Sequence, residues 1–115
     1  MKCFVCVADG MHVGIPAEKI ERIVSAGEAG DAYVSLAQLL ALKDASAVHA
    51  MVLKPPLGKT LLTPKVENEI EIPEEGIHRL PESLAPLERN FKGACFFDNY
   101  VLFILDTEKL LEPLA

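Results

Sequence analysis

Apolar residues in this chain come in short runs of strand length, with turn-forming residues between them. Cys3 to Ala8 is the first run, and Asp9-Gly10 ends it. Met11 to Ile15 follows at once, so residues 3–15 predict a hairpin. Pro16-Ala17-Glu18-Lys19 turns the chain, and Ile20 to Val24 fits a strand better than a helical turn. Gly27 to Asp31 reads as a loop and Tyr33 to Leu36 as a short strand. Leu36, Leu39, Leu40 and Lys43 have helical spacing behind a capping Ser35, which predicts one short helix ending near Asp44. Val48 to Leu53 has strand length, Pro55-Pro56-Leu57-Gly58 is a turn, and Leu61-Leu62 begins a strand that Pro64 interrupts.

The second half is clearer. From Val66 to Ile72 the residues alternate: Val66, Asn68, Ile70 and Ile72 on one face, Glu67, Glu69 and Glu71 on the other. Pro73, Pro81 and Pro86 make residues 73–88 an irregular crossover. Phe91 to Phe97 and Tyr100 to Leu105 are strands joined by Asp98-Asn99, a two-residue link that tolerates positive φ. The implied register sets Phe97 opposite Tyr100, Phe96 opposite Val101 and Cys95 opposite Leu102. One face then carries Cys95, Phe97, Tyr100, Leu102 and Ile104. The other carries Ala94, Phe96, Val101, Phe103 and Leu105. Both faces are apolar, so each requires a cover, either the other half of the fold or a partner. Thr107 to Leu111 predicts a terminal helix, capped by Asp106 or Thr107 and ending near Pro113. Many short strands and no repeated βαβ unit favour a mostly β fold, as small barrels or a small sandwich.

Composition narrows the function. Half of the 115 residues are hydrophobic and about a quarter are charged, the balance of a folded domain. The net charge of −6 makes nucleic acid a poor partner. Apolar runs such as Val101 to Leu105 are far short of the roughly 20 residues of a spanning helix, so no membrane insertion is expected. The opening residues lack the length of a signal peptide, and three cysteines read as reduced thiols, both pointing to the cytoplasm.

No constellation carries catalysis. Cys3-Phe4-Val5-Cys6 has the spacing of a zinc or redox pair, but residues three apart on a strand point to opposite faces. Leu57-Gly58-Lys59-Thr60 is similar to the end of a phosphate-binding loop, but Leu53 stands where the first glycine belongs and a strand follows, not a helix. His12, His49 and His78 are far apart and have no ligand spacing. Glu67, Glu69 and Glu71 form a solvated strand face, or one that docks a basic partner. Neither a cofactor nor a metal is implied.

From Leu61 to Leu111 the chain resembles the second half of a CheW-like domain. Leu61-Leu62-Thr63-Pro64-Lys65-Val66 leads to Ile70-Glu71-Ile72-Pro73, and a crossover follows. Phe91-Lys92-Gly93-Ala94-Cys95-Phe96-Phe97, Tyr100 to Asp106, and Glu108-Lys109-Leu110-Leu111 close the match. Gly93 and the Ile104-Leu105-Asp106 ending are its most specific pieces. The first half resembles the family through Val13 to Val24 and through Tyr33-Val34-Ser35-Leu36. The family's Arg-Gly pair before that strand is absent, Ser35 replaces an acidic residue, and Thr63-Pro64 replaces Val-Asp. The resemblance implies one domain over 1–115, built of two SH3-like β-barrels sharing a core with a short C-terminal helix. The shortened first barrel is expected over 16–60, and the second over 1–15 and 61–115. It implies a non-catalytic adaptor linking chemoreceptors or CheW-like partners to a histidine kinase in two-component signalling. The other reading is a self-assembling structural module, a homo-oligomer with no chemotaxis role. Phe97, Tyr100, Glu67, Glu69 and Glu71 are the expected protein-contact residues.

Overall fold

A computed structural model describes residues 1–8, 10–28, 33–36, 40, 47–55, 58–80, 90–97 and 99–111. Nine strands form two sheets among them. The strands are β1 (Lys2–Ala8), β2 (Met11–Pro16), β3 (Ile20–Ser25), β4 (Tyr33–Ser35), β5 (His49–Leu53), β6 (Thr60–Thr63), β7 (Val66–Glu71), β8 (Phe91–Phe97) and β9 (Tyr100–Leu105). Helix α1 spans Thr107–Leu111. The five-stranded sheet has the order β7-β1-β2-β9-β8 and the four-stranded sheet the order β3-β5-β6-β4. β6 pairs within the four-stranded sheet, which therefore reaches Thr63, three residues past the expected limit at 60.

The local expectations meet their geometry in most places. β1 and β2 pair as a hairpin, with Cys3 opposite Pro16 and Ala8 opposite Met11. Ala17–Lys19 is a 3-10 turn before β3. Ala26–Glu28 is a second such turn where a loop was expected, and residues 29–31 lie outside the described residues. The expected helix after Ser35 also falls mostly outside them, although the Leu40 N–H donates to the Leu36 carbonyl at 3.0 Å. The β8–β9 hairpin has the register read from the sequence, and Asn99 takes φ 76° in its link. Asp106 is the helix cap: its Oδ1 accepts the Lys109 N–H at 3.1 Å.

Burial explains why the five-stranded sheet is apolar on both sides. One core joins the two sheets. It contains Cys6, Val13 and Ile15 from the first sheet, Ile20, Met51, Leu53 and Leu61 from the second, and also Phe91 and Leu105. The other core lies on the opposite side of the five-stranded sheet and holds Cys3, Val5, Ile70, Ile72, Cys95, Leu102 and Ile104. The alternation expected along β7 breaks at Glu67. Val5 pairs with Asn68 but Cys6 pairs with Val66, so Glu67 is the extra residue of a β-bulge. Val66 consequently packs on the shared core while Ile70 enters the other one, and Asn68 is exposed.

The two sheets are also tied by a polar contact. His49 on β5 accepts the Val66 N–H through Nδ1 at 3.0 Å, across the Pro64-Lys65 connection. The Thr63 hydroxyl beside it is buried and has no hydrogen-bond partner among the described residues. Gly93 answers a closer constraint. His78 and Ala94 exchange two backbone hydrogen bonds, at 2.8 and 2.9 Å, which bring the crossover onto the outer edge of β8. A Cβ at Gly93 would overlap the His78 carbonyl oxygen and touch Ile77 Cγ2 at 3.0 Å.

Two stability measurements check this packing. Gly93→Ala should lower the unfolding free energy by about 1–3 kcal/mol, because the backbone of residue 78 must move to admit the methyl group. An unchanged urea midpoint would show that the crossover yields freely. Thr63→Val removes a buried hydroxyl without a partner and keeps the side-chain shape, so the variant should be as stable as the parent or more stable by about 1 kcal/mol. A clear loss of stability on urea denaturation would mean that the hydroxyl has a partner after all.

Candidate functional site

The β8–β9 hairpin lies at one end of the five-stranded sheet order, and its second face is divided. Toward the helix end, Leu105 and Phe91 are buried in the shared core, and Phe103 packs against it. The Phe91 and Phe103 rings meet tilted at 50°, with centroids 5.5 Å apart. Toward the turn, Phe96 is 85% exposed and Val101 is 38% exposed. These two residues are directly opposite each other, so they form one apolar patch across the strands. Cover by the other half of the fold thus ends partway along the hairpin. Leaving a phenylalanine in water forgoes about 1.5–3 kcal/mol of burial, the usual mark of an interaction surface when it recurs in a patch.

The patch edges a groove of about 320 Å³ lined by His78, Arg79, Leu80, Ala94, Cys95, Phe96, Val101 and Phe103. Its shape comes from the His78–Ala94 bridge, which holds the crossover beside β8, and from the small Ala94 side chain between them.

The expected contact residues are not brought together. Tyr100 is half-buried and stacks on His12, with centroids 4.0 Å apart and rings 17° from parallel. The backbone of Phe97 pairs with Tyr100 at the hairpin end, and its side chain lies outside the described residues. Glu67, Glu69 and Glu71 are exposed on β7, at the opposite end of the strand order. Glu69 lies 3.9 Å from Lys2, and Glu71 lies 3.5 Å from the N-terminal amine. Exposed pairs of this kind contribute little to stability. The sequence reading missed Phe96 and Val101 as site residues although it placed both on the correct face. No local signal distinguishes the covered end of that face from the open one.

The other candidates have structural surroundings. Cys3 and Cys6 enter different cores, as opposite strand faces require. Burial pushes the Cys3 thiol up to about 11 and the Cys6 thiol up to about 12, so neither forms a ready thiolate. The segment around Gly58 joins two antiparallel strands, with the Leu53 N–H donating to the Lys59 carbonyl at 2.9 Å. His49 is engaged by Val66 and His12 by Tyr100. Among the described residues no group of three or more His, Cys, Asp or Glu is placed to hold a metal ion. No described helix is long and apolar enough to cross a membrane.

No protein-family model matches the chain, and no curated protein matches it by sequence. Among solved structures it is similar to the scaffolding protein TtCheW from Thermoanaerobacter tengcongensis. The TM-score is 0.74 at 13% identity, over 96% of this chain and 86% of that one. The chain has the CheW-like fold: mostly β, two small subdomains sharing a core, and a short C-terminal helix.

Proposed function

We propose that this chain is a cytoplasmic, non-catalytic adaptor of the CheW kind, joining chemoreceptors or CheW-like partners to a histidine kinase in two-component signalling. The observation that carries the reading is the similarity in fold to a scaffolding protein over 96% of the chain. The exposed Phe96–Val101 patch supports it, since an adaptor works through surface that its own fold leaves uncovered. In this reading Phe96 and Val101 are contact residues, with Phe97 and Tyr100 beside them at the hairpin end. The carboxylates of Glu67, Glu69 and Glu71 serve a separate contact with a basic surface.

The same patch favours a second reading. A hydrophobic pair on an outer hairpin also suits association of one copy with another, as in a self-assembling module with no chemotaxis role.

Mixing the chain with the CheW-like regulatory domain of a histidine kinase should give a complex at micromolar concentrations, read by calorimetry and by light scattering. Phe96→Ser should weaken it about tenfold, the usual effect of losing an aromatic anchor, without changing the melting temperature. Absence of any complex would sink the adaptor reading. A chain that is monomeric on its own at these concentrations would sink the self-assembly reading.

A further inference from the structure

We draw no further inference here: the strongest candidate, the apolar groove between the crossover and the turn end of the β8–β9 hairpin, belongs to the site already described, and nothing in the structure shows what covers it.

Discussion

Both cores depend on a parallel pairing between two strands that are distant in the chain. His12, Val13 and Gly14 of β2 lie beside Leu102, Phe103 and Ile104 of β9, in the middle of the five-stranded sheet. Val13 and Ile15 point into the core shared with the four-stranded sheet. Leu102 and Ile104 point into the other one. Gly14 makes that second packing feasible: a Cβ there would stand 3.2 Å from both Leu102 Cδ2 and Ile104 Cδ1, tighter than ordinary contact. Without this pairing the five-stranded sheet would split into β7-β1-β2 and β9-β8, and the other core would lose its join between Val5 and Leu102.

The fold was legible wherever information is local. The β8–β9 register follows from a two-residue link. The opposed sulfurs of Cys3 and Cys6 follow from the period of a strand. Three things were not legible, each because it depends on residues far apart in the chain. The bulge at Glu67 is invisible in a stretch that alternates without a break, because it exists only relative to Val5 and Cys6. The parallel joins β2–β9 and β4–β6 leave no turn between the strands they connect. The limit of cover on the hairpin's second face depends on where the crossover is held, and a backbone bridge between His78 and Ala94 sets that. The candidate site suffered most. Phe97 and Tyr100 were expected at a contact, whereas the exposed Phe96 and Val101 lie on the other face of the hairpin.

The divided hairpin face leaves one small domain both well packed and partly uncovered. Its helix end supplies Phe91 and Leu105 to the shared core, so this end cannot change without loosening the join between the sheets. Its turn end supplies Phe96, which can be altered at little cost to folding because it touches water. Sequence can therefore drift at the turn end while the frame beneath it holds.

The central β2–β9 join also bears on how the protein is made. β2 is complete at Pro16, but its partner begins only at Tyr100. At roughly 5–20 residues per second on the ribosome, the first hairpin waits some seconds, about 4–17 s, before its neighbour exists. During that interval β2 has an open edge on the side that β9 fills. The nascent chain is therefore at its most adhesive while it is being synthesised, and the last strand to emerge is the one that ends the exposure.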